Sequence, residues 1–595
     1  MKEKIRYFRE ALKLVRVSAP GWTLVNIILS VLRSFLPLVL LWLLKNLIDL
    51  ITNAAAGKAG QPLPDLIWPV IAVVLVWFLD EAASDISDFV RKKQSLKLEA
   101  FMYDLLHSKS VKLDLINFEH PGYFDMLARA SREAPWRPNS ILNNLVSFLK
   151  ALVSVFLMAG ILTGLSWTMA LLLIVINVPG IWLRLHYSDV LYNFQREQTP
   201  ESRKTMYFNW LLTGDRPSRE IRLFGAGDYF RTLFKKSFLK TKEEEVQIIR
   251  KRTFIELISD LFKAAAVLVT LLFVAGKTIS GAISLGQMAM FLLAFRQGMV
   301  YIREMLASVG GLYEDSLFIS DTFEFLNLKE KITAIPPVII PSGFSKALEA
   351  KGISFTYPGN SETTIKNISF TLKKGEIIAI VGPNGSGKST LARLLCRLYD
   401  TDSGVIQMDG SDIKHLDPER YRKMFSVVFQ DFMLYNLTAG ENIKLGDADK
   451  AGDDAKMRSA ARAAGIDVLL ESLPGAYSTV IGNLFDDSRE LSWGEWQKLA
   501  LSRALYRDAP ILILDEPSSS LDADTEYEIF NRFREIVSGR TSILISHRFS
   551  NVGIADRIIV LDKGTVAETG THEELMEGKG LYYRMYTRQT GRFSV

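Results

Sequence analysis

Apolar residues crowd into the first half of the chain. Residues 151–183 contain no charged side chain. As one helix, at about 1.5 Å per residue, the run would be about 50 Å long, longer than the roughly 30 Å hydrocarbon core of a bilayer. Gly160, Gly164 and Ser166 lie inside it, so the pattern predicts a tight turn there between two membrane-crossing helices. Further apolar stretches are 22–44, 66–79, 264–276 and 278–295. Two of these, 66–79 and 264–276, fall short of the ~20 residues that a lipid-facing span needs, and Arg33 interrupts the first. The connections supply what length alone does not. The loop around Gly164 and that at Lys277 are short and poor in Lys and Arg, whereas 1–16, 91–137 and 184–252 are long and rich in both. The positive-inside rule then places the long segments in the cytoplasm. The expectation is a six-span protein of the cell (inner) membrane with both termini inside.

Arg33, Lys150, Asp260, Lys263, Arg296 and Arg303 lie within or beside these spans. Charges are costly in lipid, and they face watery cavities, pair with each other or reach the interface from helix ends. Arg33 and Arg296 have apolar residues on both sides and are expected to face a cavity. Before the first span, Lys2, Lys4, Arg6, Arg9, Lys13 and Arg16 interleave with Ile5, Phe8, Leu12, Leu14 and Val15. Residues 1–19 therefore read as a basic amphipathic helix on the inner leaflet. The scattered apolar positions do not make a cleavable signal peptide.

Composition narrows the classes. Lys and Arg number 71 against 66 Asp and Glu, a net +5, and apolar residues make up 48% of the 595. That excludes a disordered chain. It also excludes nucleic-acid binding by bulk charge. One cysteine, Cys396, excludes an intrachain disulfide framework and a multi-cysteine zinc site. A bound metal would have oxygen or nitrogen ligands.

Pro336, Pro337 and Pro341 cluster in 334–343, where extended backbone is favoured over helix. This marks a linker, 334–345, after a transmembrane domain over 20–333. Beyond it, over 346–595, short β-branched runs alternate with helical stretches: 377–381, 426–429, 511–514, 541–545 and 558–561. The alternation predicts a parallel sheet covered by helices. The fold class is multidomain, an all-α six-helix membrane domain followed by an α/β domain.

The run 377–381 ends in Gly382-Pro383-Asn384-Gly385-Ser386-Gly387-Lys388-Ser389, followed by Thr390. A glycine-rich turn between strand and helix lets backbone N–H groups surround phosphate oxygens, and the helix N-terminus adds a favourable dipole. Lys388 suits the β/γ-phosphates, and the Ser389 hydroxyl suits Mg²⁺. The strand 511–514 leads into Asp515-Glu516. Asp515 at a strand tip fits Mg²⁺, and Glu516 fits the orientation or deprotonation of an attacking water.

With these residues in place the chain resembles an ATP-binding cassette (ABC) exporter half-transporter over nearly its whole length. Tyr357 in Phe355-Thr356-Tyr357-Pro358, the phosphate loop, Gln430, the signature Leu491-Ser492-Trp493-Gly494-Glu495, Asp515-Glu516, Ser520-Leu521-Asp522 and His547 follow the family's order. The resemblance implies that Tyr357 stacks on adenine, Gln430 approaches Mg²⁺ and the attacking water, and His547 contacts the γ-phosphate. It implies that Ser492 and Gly494 meet the γ-phosphate of ATP held by a second cassette, with Asp522 along the same seam. Two features depart from the family: Trp493 and Glu495 stand where Gly and Gln are usual, and 482–490 before the signature looks longer than in many exporters.

One phosphate loop and one signature make an incomplete pair of sites, so a homodimer is expected, with a heterodimer as the alternative. Coupling helices are implied near 117–128, where Phe118, Pro121, Tyr123 and Phe124 suit insertion into a groove, and near 213–224. The membrane domain ahead of the cassette favours export over import of metal chelates, and Glu516 disfavours a purely nucleotide-gated regulator or channel. The nineteen residues before the first span are too few for a leader-peptidase domain. The segments Phe118-Glu119-His120-Pro121-Gly122-Tyr123-Phe124 and Gly494-Glu495-Trp496-Gln497 are similar to exporters of bacterial peptides. Lipids and amphipathic drugs fit the same spans.

Overall fold

The long apolar helices of the first half dominate the architecture. The computed structural model describes residues 2–55, 62–119, 121–341, 343–450, 452–516, 535–546 and 549–590. The chain divides into two compact units, one of Met1–Leu113 with Pro121–Lys329 and one of Asp114–His120 with Glu330–Val595.

The first unit is helical. Its elements are α1 (Lys2–Ser18), α2 (Pro20–Arg33), α3 (Leu36–Ala55), α4 (Pro62–Lys112), α5 (Pro121–Glu133), α6 (Arg137–Thr163), α7 (Trp167–Val175), α8 (Val178–Glu197), α9 (Thr199–Thr213), α10 (Asp215–Leu223), α11 (Gly227–Ile279) and α12 (Leu285–Leu326). Among the described residues four stretches are long and apolar enough to cross a membrane: Pro20–Ala55, Leu66–Lys112, Arg137–Thr163 and Gly227–Ile279. Of the other two expected spans, Trp167–Gly180 is apolar but shorter, and α12 carries Arg296, Arg303 and Glu304. At 51 residues, α4 is about 75 Å long, so much of it projects beyond the hydrocarbon layer.

The turn expected within 160–166 lies at its end. Gly164 ends α6, and the Ser166 hydroxyl accepts from the Thr168 amide to start α7. The loop expected at Lys277 lies further on. Lys277 belongs to the last turn of α11, and α12 starts where Ser284 and Gln287 close a reciprocal cap. That cap satisfies donors which an earlier break would leave orphaned.

Leu41, Met158, Leu162, Leu173, Phe295 and Ile302 form the apolar centre of this unit, drawn from α3, α6, α7 and α12. At Gly298 a Cβ would stand 2.7 Å from Leu173 Cδ2, a close approach of the kind that small residues permit between membrane helices. The helix α1 buries Ala11 and Val15, and Tyr7 stacks on Phe323 of α12 at 5.3 Å. Part of its apolar face thus meets protein.

Several charged groups in this unit are paired. Arg137 donates to Glu133 and Asp315 at 2.7 Å each, and the Asp315 carboxylate also accepts from Ser140 and Asn144. Arg33, expected in a cavity, lies 3.6 Å from Asp80 instead. Pairing with a neighbouring helix neutralises it more completely than water access would. Lys150 faces Glu304, and Lys263 faces Asp260.

The described residues of the second unit form two sheets. The strands are β1 (Ala347–Phe355), β2 (Ile365–Lys373), β3 (Ile377–Val381), β4 (Ser403–Met408), β5 (Ser411–Asp412), β6 (Phe425–Val428), β7 (Ile511–Asp515), β8 (Thr541–Ile545), β9 (Arg557–Asp562) and β10 (Thr565–Gly570). The order β10-β9-β3-β8-β7-β6 is parallel except for β10, and β2-β1-β4-β5 is antiparallel. The five expected runs are the five parallel strands, with ends moved by one residue. Buried on both faces, β7 reads as four aliphatic residues ahead of Asp515, and β8 as three behind Thr541 and Ser542.

A short segment far back in the chain completes this unit. Asp114 accepts from the amides of Lys331 and Ile332, Ile116 packs against the cassette core, and Glu119 accepts from the Tyr399 hydroxyl. The expected coupling segment 117–128 is therefore two pieces, a 3₁₀ turn Leu115–Glu119 and α5, which starts at Pro121. Tyr123, expected to insert into a groove, is buried in the first unit against Phe325. At the other expected coupling segment, α10 leaves Leu223 and the adjoining Phe224 exposed.

Candidate functional site

The phosphate loop grows out of β3, which lies between β8 and β9 with its last four residues buried. At Gly382, with φ +153°, a Cβ would stand 2.1 Å from the Leu561 carbonyl oxygen, so the chain can turn here only as glycine. Pro383, Asn384 and Gly385 form the exposed tip, while Ser386, Gly387 and Lys388 are buried. The left-handed Gly387 caps the helix Lys388–Leu395, whose first amides have no carbonyls to pair with inside the helix. Lys388 Nζ donates to the carbonyls of Gly382 and Pro383, both at 3.0 Å. Burial lowers its pKa, opposed by the nearby carboxylates of Glu516 and Asp515.

Asp515 ends β7 in register with Ile545 of β8 and is 2% exposed. Burial pushes its carboxyl up to about 6, against a hydrogen bond from Ser389 that lowers it. Glu516 follows with φ +51°, an uncommon conformation for a side chain with a Cβ. Its amide donates to the Ile545 carbonyl, and its carboxylate accepts from Gln430 Nε2 at 2.6 Å. Burial raises the Glu516 pKa, opposed by Lys388. The structure thus brings together Lys388, Ser389, Asp515, Glu516 and Gln430.

Tyr357 is tied to the same helix, its hydroxyl 3.1 Å from Thr390 Oγ1 and accepting from Arg393 at 3.4 Å. Phe355 and Tyr399 meet its ring edge-on. Arg393 is a member of the site that sequence reasoning missed; it lies one helical turn beyond Ser389, outside the loop motif. Lys366 and Lys563 were also missed. They line a polar cavity of about 710 Å³ beside the loop tip at Gly385, and no motif brings them together in sequence.

Ser492 and Gly494 stand apart from the phosphate loop, at the start of the helix Trp493–Arg507. The Ser492 hydroxyl accepts from the Glu495 amide, and the Glu495 carboxylate accepts from the Ser492 amide at 2.7 Å. The unusual Glu495 thus closes a capping box and places a negative charge at the helix N-terminus. The unusual Trp493 lies against Phe432, ring centroids 5.1 Å apart, two residues beyond Gln430. The segment 482–490 folds back on itself, with Gly482 and Arg489 hydrogen-bonded and Leu484 and Phe485 exposed. His547 and Asp522, with Ser520 and Leu521, lie outside the described residues.

The residues fit a nucleoside triphosphate. Among the described residues Ser386 Oγ and Asp515 Oδ1 are buried without hydrogen-bond partners, and such atoms are costly unless a ligand satisfies them. At Gly385, on the loop tip, a Cβ would meet nothing within 4 Å.

Comparison with known proteins agrees. The ABC transporter family matches residues 365–519, and the ABC transporter transmembrane region matches residues 23–301. The subtilin transport ATP-binding protein SpaT of Bacillus subtilis is 32% identical over 93% of this chain and 90% of its own. An ATP-dependent lipid A-core flippase of Thiobacillus denitrificans is 27% identical over 88% of this chain and 89% of its own. In fold, the chain is similar to a bacterial Atm1-family ABC exporter solved with ATP bound, with a TM-score of 0.81, 22% identity, and coverage of 96% of this chain and 99% of that one. The chain belongs to the ABC transporter family, an exporter-type membrane region fused to a nucleotide-binding ATPase that couples ATP hydrolysis to transport.

Proposed function

We propose that two copies of this chain clasp ATP between their cassettes and use its binding and hydrolysis to export an amphipathic peptide across the cytoplasmic membrane, with both termini inside. The observation that carries the chemistry is the group Gln430–Glu516–Asp515 beside the phosphate loop, with one Asp515 oxygen buried and unpartnered. In this reading Lys388 leaves its two loop carbonyls for the β- and γ-phosphates. Gly382 to Gly387 supply the backbone cradle, Thr390 holds Tyr357 in place, and Tyr357 meets the adenine. Ser389, Asp515 and Gln430 are the residues that would hold Mg²⁺, which supplies charge neutralisation when bound. Glu516 takes the proton of the attacking water, and a carboxyl raised by burial suits that task.

Ser492 and Gly494 would reach the nucleotide of the second copy. By family resemblance Asp522 lines that seam and His547 contacts the γ-phosphate. Tight ATP binding by the paired form biases the whole assembly toward it, and hydrolysis releases it. Both halves of the site are in one chain, which supports a homodimer; Trp493 in the signature is the feature that keeps a heterodimer in view. The peptide reading is supported by the subtilin-transport relative and by the segments 118–124 and 494–497. The lipid A-core flippase relative supports a lipid reading less strongly, at lower identity.

The test is ATP hydrolysis by the purified chain in vesicles, with peptides and lipids added in turn. Peptide-stimulated turnover is expected, falling about 10²- to 10⁴-fold in Glu516→Gln. Unchanged turnover in that variant would remove Glu516 from its role, and stimulation by lipid alone would transfer the cargo to lipids.

A further inference from the structure

Resting on the peptide reading above, we propose that Arg296 and Arg303 of α12 form a binding site for the carboxylate of the exported peptide. The neighbouring charges of this unit are neutralised at home. Arg33 has Asp80, Lys150 has Glu304, Arg252 has Glu256, and Lys263 has Asp260. Among the described residues Arg296 and Arg303 have neither an ion pair nor a hydrogen bond, and both side chains are exposed. Unpaired arginines at membrane depth are expensive, and the usual reason for keeping them is a polar pathway or an anionic ligand.

Their setting gives the chemistry of that ligand. Seven residues apart, they lie on one face of α12, separated by about 10 Å along the axis. Both line a cavity of about 410 Å³ whose other walls are apolar apart from Thr270, among them Leu271 of α11 and Leu293, Met299 and Val300 of α12. Arg303 also borders a second cavity of about 290 Å³, where Arg252, Glu256, Asp260 and Lys263 already balance one another. The net charge facing the two spaces is therefore positive and belongs to Arg296 and Arg303. A guanidinium matches a carboxylate in two parallel hydrogen bonds. The apolar wall takes aliphatic or aromatic side chains, with Met299 able to adapt to their shape. The occupant is thus an apolar segment carrying an acidic group.

The experiment uses the full chain in phosphatidylcholine vesicles and one amphipathic peptide in two forms, free C-terminal acid and C-terminal amide. ATPase stimulation is titrated with each. The acid is expected to reach half-maximal stimulation at about one-tenth the concentration of the amide, as a charge-assisted contact requires. That gap closes in Arg296→Gln and in Arg303→Gln and largely survives in Arg296→Lys. Equal potency of acid and amide on the unmodified chain overturns the inference while leaving peptide export intact. A gap that persists undiminished in both Gln variants overturns it as well. Stimulation that follows added phosphatidylglycerol and ignores the peptide carboxylate assigns the arginines to lipid phosphate. Loss of the dimer in the Gln variants assigns them to contact between copies. No stimulation by either peptide would sink the peptide reading and this inference together.

Discussion

Two buried carboxylates, one in each unit, are surrounded in opposite ways. Around Asp315 in the membrane unit the network is closed: Arg137, Ser140 and Asn144 all donate to one carboxylate, and Glu133 takes the remaining side of Arg137. Around Asp515 in the cassette it is left open: among the described residues one carboxylate oxygen and the Ser386 hydroxyl of the phosphate loop have no partner. A closed network holds helices together and has nothing left to offer a ligand. An open one sacrifices stability to stay ready for phosphate. Substitutions in the first should therefore cost folding, and those in the second should cost turnover.

The sharpest way to break this contrast is Asp315→Ala, which removes one carboxylate from Arg137, leaving it Glu133 and Glu314, and takes the acceptor from Ser140 and Asn144. A loss of about 3–5 kcal/mol is expected, visible as a large drop in thermal midpoint in detergent. A change below about 1 kcal/mol would mean that water already reaches the cluster. Next comes Arg397→Ala in the cassette. This side chain is fully buried, and it donates to the carbonyls of Thr333, Ile413 and Leu416 and to Asp400. Orphaning those acceptors should cost about 3 kcal/mol, read as earlier exposure of Cys396 to a thiol reagent in denaturant. Trp493→Gly should cost about 1 kcal/mol through the lost ring contact with Phe432. If the indole slows closure, ATP turnover rises about fivefold, the rate equivalent of that energy; a fall in turnover would make Trp493 a positive contributor. The smallest effect expected is that of Glu495→Gln. The cap survives because an amide oxygen can also accept, while the loss of charge at the helix start costs about 0.5 kcal/mol that salt should erase.

The same contrast explains what was legible in the sequence. The parallel strands and the phosphate loop could be read because burial on both faces writes continuous aliphatic runs and the turn tolerates only glycine. The antiparallel strands could not. β2 has two exposed residues in a row, Lys366 and Asn367, before it alternates, and β1 is broken by register shifts after Ala350 and Ile353, so neither shows a clean period throughout. In the membrane unit, the turn near Gly164 was readable from glycine and serine. The start of α12 depended on a Ser284–Gln287 cap, which an uninterrupted apolar run concealed. Arg33 was misplaced for a different reason. Its partner Asp80 belongs to another helix, and pairing across helices leaves no trace in either stretch alone. Arg296, by contrast, does line a cavity, as its apolar neighbours suggested.

The stretch Asp114–His120 bears on how the protein is made. It leaves the ribosome more than two hundred residues ahead of Lys331, yet its fold mates are Lys331, Ile332 and Tyr399. The cassette thus waits for the last part of translation while one of its pieces is already tethered between α4 and α5. A fragment starting at Glu330 would lack that piece. Its Ile116 groove would be open to water, and the amides of Lys331 and Ile332 would have lost their acceptor.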